Sequence, residues 1–179
     1  MSSFIDGIEK KYDNPKLLKN RLTTEGNVIG VLYSDPCYFD ECGFTEKDFV
    51  TKDGVFYYKI GKFLRNKGCN VLDEVAILSK LPDDVRENFE QKGGYDEIRK
   101  ITDAVNVKNA EVYIDDLRKE NVLLGLHREG FGLFNTTKWK DKDMVIIDLL
   151  RSFDSQGVLD WYESKLSSFD TGDSGIVLE

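Results

Sequence analysis

The chain of 179 residues has only three prolines, three cysteines and one histidine. Cys37, Cys42 and Cys69 are an odd number of cysteines, and they lack the close pairing of structural zinc ligands. We therefore predict neither a disulfide framework nor a zinc site. A Cys–His or Ser–His–Asp catalytic set would have to use His127, which lies near the predicted end of a helix. A small hydrolase or metal enzyme stays open only through these four residues.

Basic residues are fewer than acidic ones. The chain has 33 acidic residues against 25 basic ones, a formal net charge of −8. This acidity argues against a protein that grips nucleic acid through a basic surface, because such affinity comes from neutralising phosphates. The one exception is Lys138-Trp139-Lys140 together with Lys142, where an aromatic ring between lysines could stack on a base. Asp141 and Asp143 dilute that patch, so we expect at most weak DNA binding.

Long apolar runs and phosphate-binding loops are missing as well. No run approaches the ~18–20 apolar residues of a membrane span, and the first residues do not resemble a secretory signal. We therefore predict a cytoplasmic chain without a membrane partner. Gly61-Lys62 is the nearest approach to a phosphate loop, but Phe56 and Phe63 stand where that loop needs glycine and a hydroxyl. We expect no cofactor and no catalytic residue in this chain.

The sequence does contain many residues that are typical of helix starts and ends. Its prolines stand where helices could begin, with Asn14 and Asp35 as capping residues before two of them. Thr45 and Asp73 are further potential helix caps, and a longer helix is expected after Asn106. Apolar residues recur at three- and four-residue steps, most clearly between Asp53 and Gly68. We expect one helix from Pro15 past Leu22 and a second opening at Thr23-Thr24-Glu25. A helix is also expected from about residue 135 to Phe153, although Met144–Leu150 fits either helix or strand.

These patterns predict an all-α fold in three parts. A compact helical bundle occupies residues 1–106, a helical hairpin residues 107–153, and a linker helix with a tail of linker composition residues 154–179. The last helix carries one apolar stripe, formed by Val158, Leu159, Tyr162, Leu166 and Phe169. That stripe follows a break in the chain, so it either awaits a partner or folds back on its own domain.

Seven short segments form an ordered set that is more specific than any single motif. Val28–Pro36 is similar to a "VLG-x-LL-x-DP" helix, Phe44–Phe49 to an "L-x-x-EDF" turn, and Gly93-Gly94-Tyr95 to a "GG-x-x-YL" start. The others are Val55–Leu64 with its Asn66–Gly68 stop, Val71–Leu78, Ile101–Val105 and Asn109–Glu120. Together they cover roughly residues 26 to 128 and resemble the N-terminal domain of DnaB-like replicative DNA helicases. Asp73-Glu74 departs from the usual hydroxyl-rich helix start, which indicates a diverged relative of the kind that a phage would encode.

The resemblance implies a non-catalytic collar domain in DNA replication. Self-association as a dimer, a trimer of dimers or a hexamer would use the hairpin, with Leu117, Leu124, Ile146, Leu149 and Leu150. The stripe Val158, Leu159, Tyr162, Leu166 and Phe169 would dock on a neighbouring ATPase domain. Primase or a helicase loader would be the partner, in a bacterial or phage-infected cell. ATP and Mg²⁺ would bind only in the separate ATPase domain.

A free-standing regulator or inhibitor that binds a replicative helicase is the alternative hypothesis. The parent reading frame separates the two. A Walker motif downstream of Glu179 would favour the collar domain, and a stop codon would favour the regulator.

Overall fold

The computed structural model describes residues 15–170, and their side chains as far as residue 168. The chain divides into two compact units between Leu117 and Arg118, downstream of the boundary predicted at 106/107. Helices dominate the described residues, which include one small two-stranded sheet. The predicted all-α fold class is therefore confirmed. The predicted tail after Asp170 lies outside the described residues.

The first unit is built from consecutive helices joined by short turns. Its α-helices are α1 (Arg21–Ser34), α2 (Tyr38–Glu41), α3 (Lys52–Asn66), α4 (Glu74–Lys80), α5 (Asp83–Gln91), α6 (Gly94–Asp103) and the start of α7 (Ala110–Arg128). Short 3₁₀ helices occupy Pro15–Leu17, Glu46–Asp48 and Val107–Asn109.

Local capping chemistry sets several of these helix starts, as predicted for Thr45 and Asp73. Thr45 and Asp48 form a reciprocal capping box, in which the Thr45 backbone N–H donates to Asp48 Oδ2 at 2.7 Å. Asp73 Oδ1 accepts the backbone N–H of Ala76 at 2.8 Å and so caps α4. Asn106 caps the turn before α7 in the same manner. Each cap satisfies a backbone donor that would otherwise lack a partner at a helix start.

The predicted break near Thr23 was wrong, because α1 runs without interruption through that segment. Only Pro15–Leu17 forms a separate 3₁₀ turn before it. Thr24 and Glu25 are buried inside the helix and do not cap its start. The Glu25 carboxylate instead accepts the backbone N–H groups of Val50 and Thr51, at 2.9 and 3.1 Å. A long-range contact therefore overrides the local capping signal.

A set of aromatic side chains fills the core of the first unit. Phe49 stacks on Tyr58 with ring centroids 5.0 Å apart, and Phe44 meets Phe49 edge to face. The Tyr58 hydroxyl donates to the Phe44 carbonyl at 2.7 Å, and the Tyr33 hydroxyl donates to the Tyr57 carbonyl at 2.6 Å. Both buried hydroxyls therefore have the partners that buried tyrosines usually need. Burial raises the pKa of Tyr58 to about 12.

The second unit contains a β-hairpin where a helix was predicted. Strands β1 (Thr136–Trp139) and β2 (Lys142–Val145) pair antiparallel, and α8 (Ile146–Arg151) and α9 (Ser155–Asp170) follow. The expectation of helix from about residue 135 was wrong as far as Val145. Lys140 and Asp141 both have positive φ, at 50° and 64°. This left-handed pair is the backbone of a two-residue hairpin turn that matches the strand twist.

Buried polar contacts hold the second unit together. The Arg151 guanidinium on α8 pairs with both Glu120 carboxylate oxygens on α7, at 3.2 and 3.3 Å. Lys119 Nζ donates to the Arg151 and Phe153 carbonyls at 2.9 and 2.8 Å, and so satisfies acceptors near the end of α8. The carbonyl of the buried Leu133 accepts the N–H of Ile147. These contacts fix α8 beside the second half of α7 and beside the loop that precedes β1.

Two glycines in α1 differ in what surrounds them. A Cβ at Gly30 would lie 2.8 Å from the Ile101 carbonyl oxygen and 2.9 Å from Val105 Cγ2. A Cβ at Gly26 would meet nothing within 4 Å. Close packing of α1 on α6 therefore requires glycine at position 30 but not at position 26.

Alanine at these two positions is expected to have opposite effects on stability. Gly26→Ala should raise the free energy of unfolding by about 0.5–1 kcal/mol, because glycine is entropically costly inside a helix. Gly30→Ala should lower it by about 1–3 kcal/mol through overpacking. Urea unfolding followed by circular dichroism measures both changes. A Gly30→Ala protein as stable as the wild type would contradict the close approach of α1 and α6.

Candidate functional site

The apolar stripe predicted on α9 divides between two faces of the helix. Val158 is fully buried, and the half-buried Tyr162 packs edge to face on Phe131 with centroids 5.3 Å apart. Leu159 and Leu166 remain 40% and 46% exposed. The Phe169 side chain lies outside the described part of the chain. The helix therefore packs on its own unit along one face and presents two leucines, two turns apart, on another.

Trp161 is a buried anchor of α9 that the sequence interpretation missed. Its ring lies edge to face against Phe131, with centroids 6.1 Å apart, and Lys165 Nζ lies 5.2 Å from its centroid. Val158, Trp161 and Lys165 follow the i, i+3, i+7 spacing of one helix face. That spacing could have identified Trp161, but the stripe through Tyr162 and Leu166 obscured it.

The five residues predicted for hairpin self-association are all buried in the chain itself. They are Leu117, Leu124, Ile146, Leu149 and Leu150. Leu117 belongs to the hydrophobic core of the first unit. Buried side chains of this kind stabilise the fold and contribute little to an exposed surface. Among the exposed apolar side chains of the predicted hairpin is Val112 on α7, at 59%.

The β-hairpin separates the three residues of the predicted DNA patch. Lys138 is directly opposite Asp143, whereas Trp139 is opposite Lys142. Because neighbouring strand residues point to opposite faces, Lys138 and Trp139 do not share a surface. Lys140 lies in the turn. Lys142 is therefore the lysine that shares a face with Trp139, and the Trp139 ring packs on Phe153 with centroids 5.5 Å apart.

The cysteines and the histidine lie in different environments. Cys37 is exposed, Cys42 is buried and Cys69 is half-buried, all as free thiols. His127 packs edge to face against Phe134, with ring centroids 6.0 Å apart. Between residues 15 and 170, no three or more histidine, cysteine or acidic side chains converge in a metal-binding arrangement. In the same range, no helix has both the length and the apolar character to cross a membrane.

The resemblance to DnaB-like N-terminal domains stays a prediction that rests on the motif order. Comparison of the chain with protein-family models, curated proteins and solved structures gives no match. The geometry of the described residues therefore has to support any functional conclusion.

Weak DNA binding through the hairpin remains a prediction, and two lysines can test it. Lys142→Gln should weaken binding of a fluorescent single-stranded oligonucleotide, because Lys142 shares a face with Trp139. Lys138→Gln is the matched control, since Asp143 already lies opposite Lys138. We expect wild-type dissociation constants no tighter than the roughly 10⁻⁴–10⁻⁶ M of non-specific contacts at physiological salt. Nanomolar binding at that salt, or equal losses in both variants, would refute this prediction.

Proposed function

We propose that this chain is the non-catalytic N-terminal collar domain of a hexameric replicative DNA helicase. In this role it mediates self-association and offers a surface to primase or to a helicase loader. The observation that carries the proposal is the order and spacing of the seven segments between residues 26 and 128. ATP hydrolysis and DNA binding then belong to a separate domain. The net charge of −8 accords with this, because DNA affinity comes mainly from basic groups that neutralise phosphates.

Contacts among the motif segments support this proposal. The segment Val28–Pro36 approaches the segment Ile101–Val105 through Gly30, at the close contact described above. The turn Phe44–Phe49 packs on Tyr58 of the segment Val55–Leu64. The Phe49 ring stacks on the Tyr58 ring, and the Tyr58 hydroxyl donates to the Phe44 carbonyl. Segments that characterise a domain family are expected to pack on one another when they specify its core. The four segments named here do so in the first unit.

Exposed apolar side chains support a role in binding other proteins. Leu159 and Leu166 lie on one face of α9, and Val112 lies near the start of α7. Single exposed apolar residues are ordinary. Leucines spaced i and i+7 on a helix nevertheless suit packing on a second helix or into a groove. In the proposal, α9 contacts the neighbouring ATPase domain and α7 contributes to self-association.

Self-association of the full chain is the direct test of the collar proposal. Sedimentation velocity between about 1 and 100 μM, a range suited to weak and moderate affinities, should show dimers or larger species above the 20.5 kDa monomer. Val112→Glu should raise the dissociation constant at least about tenfold, because it places a charge in an apolar contact.

The control is an equally drastic substitution outside the hairpin. Val75 is 75% exposed on α4, so Val75→Glu makes the same chemical change on a different surface. Its sedimentation should match the wild type. A strict monomer throughout the concentration range would contradict the collar role. Equal effects of the two substitutions would contradict the assignment of self-association to α7.

A further inference from the structure

A small pocket opens in the first unit between α1, α3 and α6. Its volume is about 130 Å³. This is enough for several water molecules or for the end of one long side chain. Leu22, Ile29 and Ile101 provide apolar walls. Asp53, Tyr57 and Glu97 provide polar groups, as does Thr51, whose hydroxyl is already bonded to Glu25. The pocket therefore combines an apolar lining with two carboxylates and the Tyr57 hydroxyl.

The Tyr57 hydroxyl distinguishes this pocket from an ordinary surface depression. Tyr57 is only 3% exposed, yet within the described residues its hydroxyl makes no hydrogen bond to the protein. The hydroxyls of Tyr33 and Tyr58, buried in the same core, both have carbonyl partners. The Tyr57 side chain is enclosed, but its oxygen remains accessible to solvent. Because Tyr57 lines the pocket, its hydroxyl is placed to bond a group that enters there.

The charges around the Tyr57 hydroxyl indicate what kind of ligand group would enter the pocket. Burial raises the pKa of Tyr57, and the negative charges of Asp53 and Glu97 raise it further. The hydroxyl thus stays neutral and offers its oxygen as an acceptor beside two carboxylates. Three acceptors around one small space suit an ammonium group, which carries three N–H donors. A planar guanidinium, by contrast, prefers paired acceptors in one plane.

We propose that this pocket binds the ammonium group of a lysine side chain from a partner protein. The methylene stem of the lysine would lie along Leu22, which is 38% exposed and extends the apolar wall to the surface. Lysine stems commonly bury along apolar surface while the charged group makes polar contacts. This pocket is a binding site in its own right and does not depend on the collar role.

Two lysines of this chain already contact the carboxylates. Lys92 Nζ lies 2.8 Å from Asp53 Oδ1, and Lys100 Nζ lies 3.7 Å from Glu97 Oε2. Both are partly exposed ion pairs, and such pairs contribute little binding free energy. An incoming ammonium competes with them, so removal of Lys100 should strengthen ligand binding.

Nuclear magnetic resonance titration of the ¹⁵N-labelled full chain tests the proposal with n-butylammonium as the probe. Amide signals of residues 51–57 and 97–101 should shift and saturate at millimolar concentrations, as expected for so small a ligand. Isosteric n-butanol should not saturate them. The peptide acetyl-Gly-Lys-Gly-amide should bind at least about tenfold more tightly than its norleucine analogue, which lacks the charged donor.

Single substitutions distinguish the contributions of the Tyr57 hydroxyl and the Glu97 charge to ligand binding from the contribution of packing. Tyr57→Phe should weaken n-butylammonium binding about threefold to tenfold, and Glu97→Gln at least about tenfold. Tyr57→Phe should leave urea unfolding unchanged, because the hydroxyl has no partner in the protein to lose. Lys100→Gln should bind more tightly than the wild type. Glu87→Gln, an exposed charge change outside the pocket, is the matched control and should behave as wild type.

Several results would overturn the proposal. An absence of saturable shifts would mean that the pocket holds only water. Equal binding of n-butanol and n-butylammonium, or undiminished binding by Glu97→Gln, would exclude recognition of the cation. Binding of free 1,4-diaminobutane more than about tenfold tighter than the lysine peptide would assign the pocket to a free amine and not to a partner's lysine. Sedimentation of the chain is independent of all these outcomes.

Discussion

The arrangement of the first unit depends on one buried carboxylate. Glu25 lies inside α1 next to Arg21, one turn earlier, and both side chains are fully buried. Its two oxygens accept the backbone N–H groups of Val50 and Thr51 and the Thr51 hydroxyl, the last at 2.7 Å. Burial still raises the pKa of Glu25 above its usual value. Loss of either member of such a buried pair leaves the other charge uncompensated, at a typical cost of about 3–5 kcal/mol.

This interaction positions the start of α3 and, with it, the side chains on the first turns of that helix. Thr51 donates its hydroxyl to Glu25 and accepts the backbone N–H of Gly54 at 3.0 Å, so it caps α3 while it is held by α1. A side chain at Gly54 would overlap the Glu25 carboxylate. Asp53 and Tyr57 lie on the same first turns of α3. The pocket lined by Asp53 and Tyr57 and the aromatic core therefore both depend on the register that Glu25 imposes.

The local features of this fold are predictable from the sequence, and the long-range ones are not. Caps at Thr45 and Asp73 depend on residues three positions away, so their pattern is visible in the sequence. The Glu25 contact spans 25 residues to Val50, and its local context resembles a helix start. The β-hairpin was missed because Lys140-Asp141 lacks the glycine or asparagine that usually marks such a turn.

The candidate surfaces show the same limit. Helical spacing correctly identified α9, but it did not reveal that Val158 points inward while Leu159 points outward. That distinction depends on Phe131, which lies outside the helix and contacts Trp161 and Tyr162. Likewise, the five predicted hairpin residues have the apolar character of an interface and are buried in the chain's own core. Apolar character alone does not separate a core from a contact surface.

Native-state hydrogen exchange at Val50 and Thr51 tests the central role of Glu25 most directly. Both amides lie between the 3₁₀ turn and α3 and donate to the buried carboxylate. If Glu25 holds this junction, both should exchange as slowly as the central amides of α1 and α3, through opening of the whole unit. Exchange at the rate of exposed loop amides would contradict the account, because the junction would then open independently of the helices it joins.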